Sequence, residues 1–461
     1  MPLIKSISGI RGTIGAEPGC GLTPLDIVKF TAAYSTFIQR ANPGRRCVIV
    51  VGRDARLSGD MVCDLVCGTL KAMGCDVVNI GLASTPTTEI AVVAENAQGG
   101  LILTASHNPR QWNALKLLNA KGEFLNDAEG KEVLRIADES DYKFAEVDNL
   151  GHEASNTTYT RRHIEQVLAL DLVDVEAIRK ADFTVAVDAV NSVGGVIIPE
   201  LLRALGVKKI IELNCEPNGD FAHNPEPIPE NLCGISDLMR ESGADVGFVV
   251  DPDVDRLAII QNGGEMFGEE YTLVSIADYV LAHTPGSTVS NLSSTRALRD
   301  VTEAHGCSYT AAAVGEVNVT TEMKRTGAVI GGEGNGGVIY PASHYGRDAL
   351  VGVALFLTLL AKSGKSVSEL RAGYPPYSIY KTKVELKPEL DVDALLIAVK
   401  EKYAGEKITD IDGVKIDFPD SWVHLRKSNT EPIIRVYAEA HTEAEAEALA
   451  STVKDVILGM C

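Results

Sequence analysis

The feature that most constrains the fold is a repeated alternation of short apolar runs with helical stretches. The apolar runs end in glycine or polar residues, and the clearest are Cys47–Val51, Leu101–Thr104, Thr184–Val187, Lys209–Leu213 and Val246–Val250. Runs of this length are typical of buried strands. Helical stretches such as Pro24–Arg40 and Asp60–Met73 lie between them. The alternation predicts layered α/β domains, in which functional loops follow the carboxyl ends of strands.

Breaks between these segments indicate where domains change. A chain of 461 residues exceeds one ordinary core, so three or four domains are expected. The acidic, polar stretch from Asp138 to Tyr159 is typical of a linker, and a second change of domain is expected near residue 260. The segment Gly373-Tyr-Pro-Pro376 is the clearest break, because two adjacent prolines stop a helix and bias the preceding residue toward extended geometry.

The end of the chain has the pattern of a small α+β unit. Lys381–Leu386 and Ile433–Ala440 are predicted strands. A terminal helix is predicted to begin at Thr442, which forms a capping-box pattern with Glu445. The apolar residues at helical spacing, expected to face the core, are Leu449, Val453, Val456 and Met460.

Composition and charge argue against several classes of protein. A formal net charge of −20, without a basic run of useful length, argues against nucleic acid as the main partner. The longest apolar run, Ala349–Ala361, is shorter than the roughly 18 residues of a membrane span, so it predicts a buried helix and no membrane partner. The nine cysteines include no C-x-x-C pair, which favours reduced thiols. The amino terminus lacks an apolar signal segment, so a cytoplasmic location is expected.

The first of four loops that can carry chemistry reads TASHNPRQWNALK, from Thr104 to Lys116. A predicted strand ends at Thr104, which places Ser106 and His107 on an exposed turn. A serine there can act as a nucleophile or phosphate carrier if the transferred charge is stabilised, and Lys116 can donate or accept a proton. On these residues alone, a capping serine and a solvated lysine remain the alternatives. The esterase motif G-x-S-x-G is absent, which argues against an ordinary serine hydrolase.

The second loop reads DPDVDR, from Asp251 to Arg256, directly after an apolar strand. Three carboxylates at alternating positions can converge on one hard cation such as Mg²⁺ or Ca²⁺. An EF-hand is excluded, because its sixth and twelfth positions would be Arg256 and Asn262 rather than glycine and glutamate. A solvated acidic turn is the alternative, but three crowded aspartates would repel one another without a cation. The pattern therefore favours a metal site.

The third loop reads GGEGNGG, from Gly331 to Gly337. Its spacing matches G-x-G-x-x-G, but the dinucleotide fingerprint must open a helix, and Pro341 blocks one here. A loop that offers Glu333 and Asn335 to hydroxyl groups fits better than a nucleotide site. A plain glycine turn is the alternative.

The fourth loop reads RKSNTEPIIR, from Arg426 to Arg435. Arginines with short polar donors around a turn can bind phosphate through charge-assisted, bidentate hydrogen bonds. On these residues alone, a salt-bridged surface turn is equally compatible.

In this order, the four loops resemble those of the α-D-phosphohexomutase superfamily, which includes phosphoglucomutase, phosphomannomutase and phosphoglucosamine mutase. The resemblance spans essentially the whole chain, from SGIRG (Ser8–Gly12) to the arginine-rich loop. It implies four domains around a central cleft: three related α/β layered domains with mixed sheets, then a smaller α+β domain. The expected domains are 1–150, 151–258, 259–370 and 371–461.

The resemblance also implies residue roles. Ser106 matches the phosphoserine, and with Asp251, Asp253 and Asp255 it would hold Mg²⁺. The residues implied to line the reacting phosphate are Arg11, His107, Lys116 and Arg256, with Lys116 the general acid/base candidate. Those implied to bind the rest of the substrate are Glu333 and Asn335 for the sugar, and Arg426, Ser428, Asn429, Thr430 and Arg435 for the non-reacting phosphate. Gly52-Arg53-Asp54 and Ser58 match a supporting segment.

The chain departs from the family pattern in the sugar loop. That loop often reads Gly-Glu-x-Ser-Gly-His, whereas Asn335 and Gly337 stand here at the serine and histidine positions. A proton-handling role for the histidine therefore cannot be carried over. His344 and Asp348 are candidates to compensate.

The function implied is a mutase that interconverts the 6- and 1-phosphates of a hexose or hexosamine through a 1,6-bisphosphate. Phosphoryl transfer requires positioning and charge neutralisation, which a metal and several cations around one serine supply. Glucosamine phosphate is the expected substrate, with glucose or mannose phosphate as the alternative. A metal-dependent phosphatase and a non-catalytic sugar-phosphate binding protein are the rival hypotheses, and the sequence does not indicate the oligomeric state.

Overall fold

Residues 3–6, 9–386, 390–428 and 433–460 are described by a computed structural model of the chain. They divide into two units. The first comprises Met1–Thr272 and Asn335–Ser368, and the second comprises Leu273–Gly334 and Glu369–Cys461. Among the described residues, no helix is both long and apolar enough to span a membrane.

Strands and helices alternate along most of the chain. The strands are β1 (Ile4–Ser6), β2 (Gly9–Thr13), β3 (Val48–Arg53), β4 (Asp76–Leu82), β5 (Gly99–Leu103), β6 (Trp112–Asn119), β7 (Glu153–Ser155), β8 (Thr184–Asp188), β9 (Lys209–Leu213), β10 (Val246–Val250), β11 (Leu257–Ile260), β12 (Thr288–Asn291), β13 (Tyr309–Ala312), β14 (Ile330–Glu333), β15 (Gly337–Ile339), β16 (Ser378–Glu385), β17 (Lys407–Thr409), β18 (Val414–Asp417), β19 (Trp422–Lys427) and β20 (Ile433–Ala440). The helices are α1 (Pro24–Ala41), α2 (Gly59–Ala72), α3 (Thr85–Ala94), α4 (Asp127–Glu139), α5 (Tyr159–Leu168), α6 (Val175–Ala181), α7 (Gly194–Ala204), α8 (Cys233–Ser242), α9 (Glu269–His283), α10 (Ala297–Ala304), α11 (Glu316–Thr326), α12 (Ala349–Ser363), α13 (Val367–Ala372), α14 (Val392–Lys402) and α15 (Glu443–Leu458).

The first unit contains a seven-stranded mixed sheet in the order β1-β2-β6-β5-β3-β4-β7. The strands from β5 to β7 in that order are parallel, and β6, β2 and β1 are added antiparallel. Successive residues of β3 point to opposite faces, so Ile49 and Val51 pack with α1, α2 and α4, whereas Val50 packs with α3. Helices therefore cover both faces, which explains why the strands are continuously apolar.

A second sheet of the first unit has the order β11-β10-β8-β9. Its β10, β8 and β9 are parallel, and β11 pairs antiparallel with β10. The hairpin between β10 and β11 consists of the segment Asp251–Arg256. The predicted buried helix Ala349–Ala361 is confirmed as α12, which packs against α5 and α6.

The second unit contains two sheets. In one, β13, β12 and β14 are neighbours in that order, and both pairings are parallel. The other is a five-stranded antiparallel sheet in the order β16-β20-β19-β18-β17. Helices α14 and α15 contribute Leu396, Val399, Ala450, Val453 and Ile457 to the core of this antiparallel sheet. The expected small α+β unit is present at the end of the chain.

In the terminal helix α15, the predicted N-terminal cap is correct, but the predicted buried face is only partly correct. The capping box of Thr442 with Glu445 is confirmed. Of the four predicted residues, Val453 is buried and Leu449 packs against the core, but Met460 is exposed. The other fully buried residues of the helix are Ala446, Ala450 and Ile457. The small alanines let α15 lie close to β16 and β20, so the helix buries a face rotated from the one that its larger apolar residues predict.

Candidate active site

Ser106 lies on a tight turn just after β5. Its φ of +49° is in the left-handed region, which few residues other than glycine adopt. The turn is held by the Ser106 N–H, which donates to Thr104 Oγ1 at 2.9 Å, and by Thr104 Oγ1, which donates to Asp54 Oδ2 at 2.6 Å. The serine is 7% exposed, so its hydroxyl is sheltered rather than on the open turn that the sequence predicted.

Arg56 holds the loop that follows Ser106 in place. Its fully buried guanidinium binds Asp54 Oδ2 at 2.8 Å. It also donates to four main-chain carbonyls of the loop, those of Ser106, Asn108, Pro109 and Trp112. One side chain therefore ties together four carbonyls of the loop, and those that are buried need such a donor.

The three aspartates of the β10–β11 hairpin converge. All are fully buried, and one carboxylate oxygen from each lies within 4.8 Å of the others. Val254, between the second and third aspartates, has a φ of +62°, an uncommon conformation for a β-branched residue. This strained turn brings the alternating carboxylates to one point.

Ser106 and the aspartates meet directly. The Ser106 hydroxyl donates to Asp251 Oδ2 at 2.6 Å. The other oxygen of Asp251 accepts hydrogen bonds at 3.2 Å from the main-chain N–H groups of Asp255 and Arg256. The hairpin therefore orients the carboxylate that binds the serine.

Asp253 and Asp255 are bound alike: the Oδ2 atom of each accepts a hydrogen bond from a cationic side chain. Asp253 Oδ2 accepts from Lys116 Nζ at 2.7 Å and from Thr85 Oγ1 at 2.6 Å. Asp255 Oδ2 accepts from Arg347 Nη2 at 2.7 Å. The Oδ1 atom of each is buried and has no hydrogen-bond partner among the described residues. Carboxylate oxygens that lack hydrogen bonds in a buried oxygen-rich cluster are suited to a hard divalent cation.

The buried charges perturb one another. Burial raises the pKa of Asp251, and the carboxylates of Asp255 and Asp253 raise it further. Burial also acts to raise the pKa of Asp253, but the Lys116 ammonium outweighs it, so this pKa is lowered. Burial lowers the pKa of Lys116, but the two carboxylates outweigh it and the pKa is raised overall. Lys116 is therefore an ammonium at neutral pH, able to give a proton or to neutralise an anion.

Of the other residues implied to line the reacting phosphate, His107 and Arg256 lie against this cluster. His107 Nδ1 lies 3.3 Å from Ser106 Oγ. Burial, together with the positive charge of Arg256, lowers the pKa of His107 to about 2, so its imidazole is neutral. Arg256 Nε is 3.9 Å from Asp255 Oδ1. Arg11 lies on β2, paired with Ala114 of the same strand that carries Lys116.

The sugar loop is divided between the two units. Glu333 ends β14 in the second unit, is 5% exposed, and accepts from Asn291 Nδ2 at 2.9 Å and from the Gly315 N–H at 3.2 Å. Asn335 belongs to the first unit, and its Oδ1 accepts from the Gly337 N–H at 3.2 Å.

The described part of the arginine-rich loop, residues 426–428 and 433–435, lies in the second unit. Arg426 of β19 is directly opposite Arg435 of β20, and Arg426 pairs with Asp412 at 3.0 Å. Like charges directly opposite on adjacent strands repel, so this pair is suited to an anion. Ser428 is buried next to it. Asn429 and Thr430 lie outside the described residues.

Two candidates for the role of the missing histidine lie in a separate cluster. His344 contacts Glu89 at 3.3 Å and Asp348 at 3.1 Å, and Asp348 also accepts from His163 at 2.9 Å. Among the described residues, this cluster and the three aspartates are the groups whose geometry could hold a metal ion.

Sequence reasoning missed three residues of the site. They are Arg56, Thr85 and Arg347. Thr85 and Arg347 are far along the chain from the aspartates that they bind, and Arg56 lies about 50 residues from the loop carbonyls to which it donates, so no local pattern indicates these contacts. The one available signal was for Arg56, which follows the supporting segment Gly52-Arg53-Asp54 closely.

Comparisons with known proteins agree with this arrangement. Four profiles match consecutive segments: phosphoglucomutase/phosphomannomutase α/β/α domain I at residues 3–144, domain II at 161–264, domain III at 268–377, and the C-terminal domain at 382–456. A phosphoglucomutase/phosphomannomutase of Thermococcus kodakarensis is 37% identical over 95% of this chain and 94% of its own. A phosphoglucosamine/phosphogalactosamine mutase of Sulfurisphaera tokodaii is 33% identical over 98% of each.

A solved structure extends the likeness to the fold. The crystal structure of a phosphoglucomutase/phosphomannomutase family protein from Burkholderia thailandensis superposes with a TM-score of 0.83, at 24% identity, and 98% of each chain is covered. The four-domain α/β organisation is confirmed. The chain therefore belongs to the phosphoglucomutase/phosphomannomutase family of the α-D-phosphohexomutase superfamily, whose members are metal-dependent phosphotransferases of the isomerase class.

Proposed function

We propose that this phosphohexomutase converts glucosamine 6-phosphate to glucosamine 1-phosphate through a phosphorylated Ser106. The observation that carries the proposal is the 2.6 Å hydrogen bond from Ser106 Oγ to Asp251, within a buried cluster of three carboxylates. A serine that only capped a helix would not be expected beside three buried acids. A phosphate carrier needs cations and an ion site beside it.

In the proposed phosphoryl transfer, Lys116 supplies one proton and takes one back. A sugar hydroxyl oxygen forms a bond to phosphorus as the bond between phosphorus and Ser106 Oγ breaks. Lys116 gives a proton to the departing serine oxygen and takes one from the sugar hydroxyl, so the ammonium is restored. After the bisphosphate turns around, Ser106 Oγ attacks the other phosphorus and the same steps run in reverse. The raised pKa of Lys116 keeps its amine protonated before the transfer, so the proton that Lys116 gives first is present.

We propose Mg²⁺ as the metal. Asp251, Asp253 and Asp255 would hold it, and an oxygen of the phosphorylated Ser106 would complete the site. When bound, it would neutralise charge that develops on the transferred phosphoryl group. An all-oxygen donor set, with two buried oxygens that lack hydrogen bonds, supports a hard cation over zinc.

Substrate binding is assigned to the remaining residues. Arg11, His107 and Arg256 would contact the reacting phosphate, and Glu333 with Asn335 the sugar hydroxyls. The phosphate that does not react would be bound by Arg426, Ser428, Asn429, Thr430 and Arg435. The cross-strand pair Arg426 and Arg435 supports this assignment, because an anion would relieve its repulsion. The partners proposed are thus hexosamine or hexose monophosphates and their 1,6-bisphosphates. Such metabolites suit a cytoplasmic location.

Glucose and mannose phosphates are the second candidate. The Thermococcus relative, at 37% identity, is named for them, and the Sulfurisphaera relative, at 33%, is named for glucosamine and galactosamine phosphates. We expect the ratio kcat/KM to be highest for glucosamine 6-phosphate.

The test is a side-by-side ³¹P NMR assay with the 6-phosphates of glucosamine, glucose and mannose, primed with the matching 1,6-bisphosphate. The expected product is the 1-phosphate. Ser106→Ala should abolish its formation, whereas the exposed Ser451→Ala, a matched control, should leave it unchanged. Release of free phosphate instead would indicate a phosphatase, and binding without any turnover would indicate a binding protein. Faster turnover of glucose or mannose phosphate would overturn the choice of sugar.

A further inference from the structure

Asp255 depends on one strong partner. Its Oδ2 accepts from Arg347 Nη2 at 2.7 Å, whereas Lys116 Nζ is 3.6 Å from the same oxygen. The carboxylate is fully buried, and Arg347 is 8% exposed. The other oxygen, Oδ1, has no hydrogen bond among the described residues. Asp253 is held in the same manner by Lys116 and Thr85, so Arg347 is the corresponding holder of Asp255.

The stem of Arg347 passes over Gly337. A Cβ atom at position 337 would lie 2.3 Å from Arg347 Cδ and 3.0 Å from its Cγ. The first distance is too short for two carbon atoms that are not bonded to each other, so a side chain at 337 would force Arg347 to move. The φ of Gly337 is not in the left-handed region. Asn335 Oδ1, at 3.1 Å from the same Cβ, would need to move by only a few tenths of an ångström. The severe clash at position 337 is therefore with Arg347, and it does not arise from the backbone conformation of the glycine.

The backbone around Arg347 cannot easily shift to make room. Ile339 bridges Arg347 in antiparallel register, and the Asp348 N–H donates to the Val338 carbonyl at 2.8 Å. Asp348 also caps α12, accepting from the Leu350 N–H at 2.8 Å. Its other oxygen accepts from His163 and His344. A side chain at 337 would thus displace the arginine stem rather than the chain that carries it.

We propose that Arg347 and Gly337 act as one positioning device. Arg347 orients the Asp255 carboxylate, and the absence of a side chain at Gly337 leaves the room that the arginine side chain needs to reach it. The inference rests on the proposed role of Asp255 in the phosphoryl-transfer site. It accounts for a glycine at the position where the family often has histidine, because a histidine there could not coexist with this arginine conformation.

The test is a double-mutant cycle of Gly337→Ala and Arg347→Ala. Each single variant should lower kcat by about 10- to 100-fold, the usual effect of removing a residue that orients a metal ligand. KM for the sugar phosphate should change less than about 3-fold, because Arg347 contacts Asp255. The kcat of the double variant should be no lower than that of Arg347→Ala alone, since without the arginine side chain the added methyl group has nothing to displace there.

The melting temperature of the EDTA-treated enzyme supplies a readout that does not need turnover. Each single variant should lower Tm by about 5 °C, because a buried carboxylate loses its closest partner, and the two losses should again fail to add. Gly68→Ala, at an exposed helical glycine where the added Cβ meets no atom within 4 Å outside its own helix, is the matched control: it should leave kcat unchanged and should not lower Tm, because alanine favours a helix over glycine. Arg347→Lys, which keeps the charge, should recover part of kcat.

The outcomes separate the two proposals. Additive losses in the cycle, or an Arg347→Ala enzyme with unchanged kcat and Tm, would overturn the positioning device. If the wild-type enzyme turns over no sugar phosphate, the proposed function fails, while the Tm cycle still decides on the device. If Arg347→Ala does not fold, Gly337→Ala and Arg347→Lys decide, because normal kcat in both would refute the inference.

Discussion

Replacing Arg56 with methionine should both destabilise the first unit and slow catalysis. Methionine retains much of the apolar bulk of arginine but removes its charge and donors. In the native site, Arg56 binds the Asp54 carboxylate at 2.8 Å, and both side chains are fully buried. Burial raises the pKa of Asp54, and the Arg56 guanidinium is the largest opposing influence. Without Arg56, the carboxylate would be left buried and unpaired.

The magnitude follows from these contacts. Removing one partner of a buried ion pair costs about 3–5 kcal/mol in the free energy of unfolding. Four loop carbonyls also lose a donor, including that of Ser106. A serine displaced by about 1 Å loses roughly 100-fold in rate. We therefore expect kcat to fall about 100-fold.

Urea unfolding and steady-state kinetics on the same preparations provide the measurement. Arg203→Met is the control, because Arg203 pairs with Glu212 at the surface, where its side chain is 59% exposed, and exposed pairs contribute about 1 kcal/mol or less. An Arg56→Met enzyme with unchanged unfolding midpoint and kcat would refute the view that this guanidinium holds the serine loop.

Three further predictions concern the metal, the distant phosphate and pH. Chelation by EDTA should abolish turnover and added Mg²⁺ should restore it; full activity in EDTA would argue against the ion site. Arg435→Ala should raise KM more than Lys427→Ala, measured with the same sugar phosphate, and equal, negligible effects would remove the arginine-rich loop from the site. Burial alone would lower the pKa of His344, but hydrogen bonds to Asp348 and Glu89 raise it from 6.5 to about 10. Its contribution to stability is therefore complete below pH 6.5 and is lost as the pH rises toward 10, so the wild-type Tm should fall over this range relative to His344→Gln. Parallel Tm curves for the two proteins would contradict this.

Strands and their loops were predictable because their signals are local. The apolar run Val246–Val250 ends where β10 ends, and the predicted strand Lys209–Leu213 is β9. The acidic hairpin could be predicted to gather charges because its aspartates alternate along six residues. That Ser106 meets Asp251 was expected through the family resemblance, since the two are 145 positions apart and belong to loops of different sheets.

Contacts between distant segments could not be read from sequence patterns. Thr85 begins α3 and looks like part of a helix start, yet its hydroxyl binds Asp253, 168 positions away. Arg347 is 92 positions from Asp255, and the space that admits it is visible only as a missing Cβ at Gly337. The face of α15 was mispredicted for a related reason, because the close approach allowed by Ala446 and Ala450 depends on the sheet beneath it.

The central claim is that Ser106 carries the phosphoryl group. Intact-mass and peptide mass spectrometry of the enzyme, after incubation with the sugar 1,6-bisphosphate and Mg²⁺, tests it most directly. We predict one added phosphoryl group, located on Ser106, which disappears when excess sugar monophosphate is added. Turnover by an enzyme that acquires no phosphoryl group, or acquires it on another residue, would contradict the account.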